Sequence, residues 1–204
     1  MTEAPVRRRW DPLVKLTHWG IVAAVLANAL IVEEGSGTHI WIGYALAAIL
    51  GLRLFWGLVG PAEARFSAFP PSPRRALAHI GEIAAGKATA HRSHNPLGAL
   101  MVYAIWATLL VIIASGIAMA GLPATPRAEP STAIATTAAT EADEAGEAGE
   151  DAENGESEDG PAAEVHEAAA NLLYGLILLH IAGVVFESRR QRRNLALAML
   201  PGHG

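Results

Sequence analysis

The chain has 204 residues, of which 51% are hydrophobic and only 17% are charged, and its formal net charge is −5. The apolar residues come in long blocks, which favours an integral membrane protein in contact with the lipid bilayer, and no nucleic-acid partner is expected. The chain has no cysteine, which excludes disulfides, thiolate metal sites and cofactors linked through cysteine.

Four stretches are long and apolar enough to cross a bilayer, which takes about 20 helical residues. Asp11-Pro12 precedes the first stretch as an N-cap with proline at the first helical position. Thr38 is the expected cap of the second stretch, and Gly60 ends it. The first stretch has no small-residue cleavage site and is expected to be a retained span. The predicted spans cover residues 13–32, 39–60, 95–121 and 166–187.

The basic residues predict the orientation of these spans. Thirteen of the 15 lysines and arginines lie before or at the start of span one, between spans two and three, or after span four. By the positive-inside rule these segments and both termini are cytoplasmic. The predicted organisation is a cytoplasmic tail (1–12), spans one to three (13–121) with a cytoplasmic loop (61–95), an outer loop (122–165), span four (166–187) and a basic cytoplasmic tail (188–204).

The outer loop is strongly acidic, as in EADEAGEAGEDAENGESEDG. Its low apolar content and like charge predict a disordered periplasmic tether. The alternative is a surface that attracts a basic soluble partner.

In the cytoplasmic loop, apolar residues predict a short amphipathic helix on the membrane surface. These residues are Ala76, Leu77, Ile80 and Ile83. His79, on the same segment, is expected to face solvent.

Four histidines within or at the ends of the spans fall at two depths. His166 and His180 are 14 residues apart, so on one helix they share a face and differ in depth by about 21 Å. The predicted topology places His39 with His166 near the outer surface and His18 with His180 near the inner one. A single such histidine could be a hydrogen-bonded core residue or an interfacial anchor. Four ionisable residues in two matched pairs favour a functional interior.

Two imidazoles per site favour haem over a bare metal ion. Zn²⁺ normally takes four ligands, often including thiolates or carboxylates, and here cysteine is absent and the acidic residues lie at the helix ends. Haem iron needs only two axial ligands, and the flat porphyrin suits the interior of a helix bundle. Without cysteine the haem is non-covalent. We therefore predict two bis-histidine haems b, held by His18 and His180 and by His39 and His166.

The segments around these histidines resemble the bacterial cytochrome b561 family, which also covers the cytochrome b subunits of nickel–iron hydrogenases. The resembling segments are WDPLVKLTHW, HIWIGYALAAILGLRLFWGLVGP, ARFS, HNPLGALMV and HEAAANLLYGLILLHIAGVVFES, in that order. The resemblance implies an all-α integral membrane four-helix bundle with haem sites between the helices. By position it implies that His18 and His180 ligate the inner haem, and His39 and His166 the outer one. The acidic insertion before His166 departs from the family pattern and leaves the outer partner open.

The resemblance also implies a function. Members of the family carry electrons across the bacterial inner membrane between the quinone pool (ubiquinone or menaquinone, as exchangeable substrate) and a redox partner. We favour a periplasmic c-type cytochrome as that partner. The family equally allows a membrane-anchoring cytochrome b subunit of a hydrogenase-like enzyme, or a superoxide:quinone oxidoreductase. Two other classes of function stay open: a histidine-based metal-ion transporter, and a membrane anchor with a purely structural haem.

Several further residues are candidates for cofactor binding. Arg53 shares a helix face with His39 at the depth of the inner site, where a haem propionate is a natural counter-ion; the alternative is snorkelling to the interface. His94, beside the N-cap of span three, could bind a propionate or a quinone headgroup, or be an ordinary interfacial residue. Gly20 and Gly116 within the spans leave room either for a porphyrin edge or for helix packing.

Overall fold

The computed structural model describes residues 11–86, 95–123, 160–192 and 194–200. These residues form six α-helices and one 3-10 turn (Phe66–Ala68), and they contain no strand. Four of the helices are long and apolar enough to span a membrane by length and composition, which confirms the all-α membrane fold predicted from the sequence. The helices are α1 (Pro12–Leu30), α2 (Gly37–Val59), α3 (Pro73–Ala84), α4 (Pro96–Ala120), α5 (Pro161–Arg190) and α6 (Leu195–Ala198).

Polar side chains fix where the long helices begin. Asp11 caps α1 by accepting hydrogen bonds from the backbone N–H groups of Leu13 (2.9 Å) and Val14 (3.1 Å), as its position predicts. The cap of α2 is Ser36 and not Thr38, because the Ser36 hydroxyl accepts the N–H of His39 at 3.2 Å. His39 therefore lies in the first turn of α2.

Helix α5 is longer than the predicted span. It begins at Pro161 and ends at Arg190, a length of 30 residues. Proline is tolerated in a first turn because no N–H is needed there, and Glu164 near the start and arginines near the end complement the helix dipole. Residues 161–165, predicted as outer loop, thus belong to the helix, and residues 124–159 of that loop lie outside the described residues.

The long helices pack as two close pairs, α1 with α2 and α4 with α5, joined by the packing of α2 against α4. The side chains of Leu50 and Leu109 are fully buried where α2 meets α4. Within the described ranges, by contrast, α5 makes hardly any close backbone contact with α1 or α2. A gap therefore runs along the face of α5 that looks towards the first helix pair.

Helix α3 is amphipathic, as predicted, and packs against α4. Leu77 and Ile80 are exposed on its outer side, as suits a helix at a membrane surface. The prediction that His79 faces solvent is wrong: its side chain is 1% exposed, with Nδ1 3.2 Å from a carboxylate oxygen of Glu82. The reason is that His79 lies three residues from buried Ala76, on the face that α4 covers.

Candidate functional site

His39 of α2 and His166 of α5 face each other across the gap between these helices. Their ring centroids are 6.2 Å apart and their planes are inclined by 60°. If one metal ion lay between them, two metal–nitrogen bonds of about 2.0 Å, with about 1.1 Å from each nitrogen to its ring centre, would span about 6.2 Å. The separation therefore fits two imidazoles that would bind one metal ion from opposite helices, whose backbones make hardly any close contact.

The surroundings of His39 leave polar atoms without partners. Its Nδ1 is buried, and no residue within the described ranges forms a hydrogen bond with it. The side-chain amide of Asn28 donates to the backbone carbonyl of His39 at 3.2 Å, while the Oδ1 of Asn28 is likewise buried without a partner there. Buried polar atoms are rarely left unpaired, so this corner of the fold has the features of a binding site.

His166 is held by α4. Its Nδ1 lies 3.0 Å from the hydroxyl oxygen of Ser115. A Cβ atom added to the neighbouring Gly116 would stand 3.4 Å from Cε1 of the same imidazole. Gly116 thus lies beside the histidine ring, and a Cβ there would make only an ordinary van der Waals contact. A Cβ on Gly20 would crowd Ile49 at 3.2 Å, so Gly20 serves helix packing.

His18 of α1 and His180 of α5 are the second predicted pair. Both side chains are half-buried. The ring of His18 also meets the edge of Trp19 at 5.6 Å between centroids. The structure thus shows a direct ring contact for His39 with His166, and the pairing of His18 with His180 stays a prediction.

The C-terminal segment folds back onto the start of α1, beside His18. The indole N–H of Trp19 donates to the carbonyl of Met199 at 2.9 Å, and the ammonium of Lys15 donates to that of Leu200 at 3.2 Å. The Lys15 ammonium is therefore engaged by the backbone of the C-terminal segment.

Residues 9–202 match the family model of prokaryotic cytochrome b561. The chain belongs to this family. It is accordingly a membrane cytochrome that carries b-type haem and takes part in electron transfer. Searches among curated proteins and among solved structures found no match.

In this cytochrome, Arg53 is buried between α2 and α4, with 5% of its surface exposed. The guanidinium stacks on the ring of Trp106 at 5.0 Å and donates from Nη2 to the carbonyl of Ala64 at 3.4 Å. Its Nη1 is buried without a hydrogen-bond partner in the described part of the chain. The head group is thus not exposed at an interface, as snorkelling would require, and Nη1 is available to an anionic group.

His94, the other predicted cofactor-binding residue, lies outside the described residues. Sequence reasoning missed Ser115 and Asn28, which touch the outer histidine pair. The signal for both was present in the sequence: each is one of the few polar side chains in a strongly apolar span.

The histidine pairs of this cytochrome are not part of larger ligand clusters. Across the ranges that the structure describes, no three histidine, aspartate or glutamate side chains come together in a group that could hold a metal ion. Histidine-based binding of a bare cation normally takes about four ligands.

Proposed function

We propose that the chain is a di-haem cytochrome of the bacterial inner membrane that carries electrons between the quinone pool and a periplasmic c-type cytochrome. His39 and His166 are the axial ligands of the outer haem b, and His18 and His180 are those of the inner one. Both termini are cytoplasmic in this proposal, as the distribution of basic residues predicts.

The observation that carries the proposal is the 6.2 Å separation of the His39 and His166 ring centroids across a gap between helices. Two imidazoles without a metal ion between them gain little by facing each other at this distance, since each is costly to bury. As ligands of one iron both rings would be satisfied. His180 lies about 21 Å further along α5, where it would serve the second haem in the same way.

The residues of the chain do four things in this proposal. The imidazoles supply axial nitrogens, and the apolar faces of α1, α2 and α5 bury the porphyrin ring and exclude water. Nη1 of Arg53 is a candidate partner for a propionate of the inner haem. The C-terminal segment covers the start of α1 beside His18. Haem bound by these residues would supply one-electron redox chemistry.

Charge supports a basic partner on the outer side. Glu33 and Glu34 are exposed in the turn between α1 and α2, and Glu164 and Glu167 are exposed in the first turns of α5. Together with the acidic loop that precedes α5, they make the outer mouth negative. Such a surface steers a positively charged soluble protein towards it.

The proposal is tested by the haem content and by reduction with quinol. We expect the purified protein to contain two haems b per chain by pyridine haemochrome assay. We also expect a redox titration with two components, and rapid reduction of both by a quinol analogue.

Each alternative predicts a different result. A structural anchor would bind haem and stay oxidised in the presence of quinol. One haem per chain, or a colourless protein that binds zinc, would contradict the proposal. If superoxide reduces the haems and an added c-type cytochrome exchanges no electrons with them, superoxide replaces the c-type cytochrome as the proposed partner.

A further inference from the structure

We propose that Ser115 is a positioning residue for the outer haem: its hydroxyl oxygen accepts the Nδ1–H of His166 and so leaves Nε2 of that imidazole free to bind iron. This inference rests on the proposed role of His166 as a ligand. It concerns a residue of α4, a helix that supplies no histidine to either pair.

The contacts of Ser115 decide which group donates. Its hydroxyl lies 2.8 Å from the carbonyl of Val111 and 3.1 Å from that of Ile112, one turn earlier in α4. Carbonyl oxygens can only accept, so the single hydroxyl hydrogen is directed towards them. The lone pairs of the serine oxygen are then what faces Nδ1 of His166, at 3.0 Å.

The hydrogen-bonding pattern of Ser115 selects the tautomer of His166. Opposite a lone pair, Nδ1 must carry the hydrogen, and in a neutral imidazole the other nitrogen is then an acceptor. The acceptor nitrogen, Nε2, is the atom that a metal ion needs. Ser115 therefore prepares His166 for coordination before any metal is bound, which is what partners of metal-ligating histidines commonly do.

The surroundings also hold the orientation of the ring. Ser115 is buried, so water does not compete strongly for Nδ1. On the adjacent turn position, Gly116 lies against Cε1 of His166. The partner ligand differs, because Nδ1 of His39 has no hydrogen-bond partner in the described ranges. The support from Ser115 consequently acts on one ligand of one site.

The hydrogen bond has an electronic consequence. A histidine whose Nδ1–H is donated to an acceptor is a stronger electron donor through its other nitrogen. Stronger donation stabilises ferric iron more than ferrous iron. We therefore expect the serine to lower the midpoint potential of the outer haem and to leave that of the inner haem unchanged.

The test compares Ser115→Ala with Thr108→Ala in the full-length protein. Thr108 lies two turns earlier in α4, is also buried and also donates to the carbonyl four residues before it, at 2.9 Å. No hydrogen bond joins it to a histidine of the described ranges. In Ser115→Ala the outer haem is expected to titrate at higher potential, so that its ratio of reduced to oxidised form at the wild-type midpoint rises about threefold. The electron paramagnetic resonance signal of the ferric low-spin outer haem is expected to shift as well in Ser115→Ala. Thr108→Ala is expected to titrate as wild type.

Ser115→Thr keeps a hydroxyl at the same place and is expected to restore the wild-type potential and signal. The outer component is identified by its loss in a His39→Ala variant. If Ser115→Ala contains two haems with both potentials and signals unchanged, the inference fails while the proposed function stands. If the wild-type protein does not hold two haems, the proposed function fails first. A shift shared by Thr108→Ala would show a packing effect and overturn the role given to Ser115.

Discussion

Replacing His166 by alanine is expected to lower the haem content from two to one per chain and to remove only the outer redox component. The remaining imidazole, His39, then has no partner at the 6.2 Å spacing that suits bis-histidine ligation. Haem b is held by no covalent link here, so loss of an axial bond removes the main specific attachment of the cofactor to the protein. Pyridine haemochrome analysis and a redox titration of the purified variant measure the effect.

The complementary variant is His180→Ala, which is expected to remove the inner component and leave the outer one. His79→Gln is the matched control: it changes a buried histidine outside both pairs, next to Glu82, and is expected to keep two haems. Loss of both haems from either alanine variant with the helices still folded, or loss of neither, would contradict the assignment of two separate sites.

Replacing Gly57 by alanine is expected to destabilise the protein by about 1–3 kcal/mol, the usual range for overpacking a well-filled interior. Gly57 is buried in α2, and a Cβ atom there would overlap the ring of Phe66. That ring cannot move aside easily, because it packs against Tyr103 at 6.2 Å and Trp106 at 5.8 Å between centroids. The thermal midpoint in detergent, followed by circular dichroism, should fall by several degrees.

Gly51→Ala is the matched control for this substitution. Gly51 lies in the same helix but is exposed, and a Cβ added there meets nothing within 4 Å. Alanine is also the better helix former, so its midpoint should be unchanged or slightly raised. Equal destabilisation of the two variants would show that the loss of a small residue in α2, and not the contact with Phe66, causes the effect.

The aromatic cluster around Gly57 links the core to Arg53. The cluster consists of four rings that pack edge to face or tilted: Phe66, Phe69, Tyr103 and Trp106. The guanidinium of Arg53 stacks on Trp106. The connection after α2 thus folds back against α4 and closes the bundle at the end that also holds Asp11. This closure explains how α2 and α4 stay packed while α5 remains separated from α2 by a gap.

Much of the fold was predictable because it depends on properties of single helices. Apolar length predicted the four spans, and Asp11 and Asn95 predicted the starts of α1 and α4. The rise of an α-helix and the distribution of basic residues predicted which histidines share a level. The pairing of His39 with His166 followed from those two quantities alone.

The errors concern neighbours and not levels. His79 was expected in solvent because α3 is polar on one side, but α4 covers the face on which it lies. The predicted span began at His166, whereas the helix begins at Pro161, and Glu164 interrupts the apolar pattern between these two residues. In neither case does the pattern of apolar residues carry the information: the burial of His79 depends on a second helix, and α5 extends past the end of its apolar segment.

By itself, the sequence predicted four candidate spans and the pairing of His39 with His166, and its resemblance to the cytochrome b561 family was confirmed. Only the tertiary structure decided that Ser115 meets Nδ1 of His166, that Trp106 meets Arg53 and that the C-terminal segment meets Trp19. The physical reason is that a span in lipid is apolar on every side, so its sequence carries little information about its rotation or its lateral neighbours. Those follow from packing between helices, which brings together residues far apart in the chain.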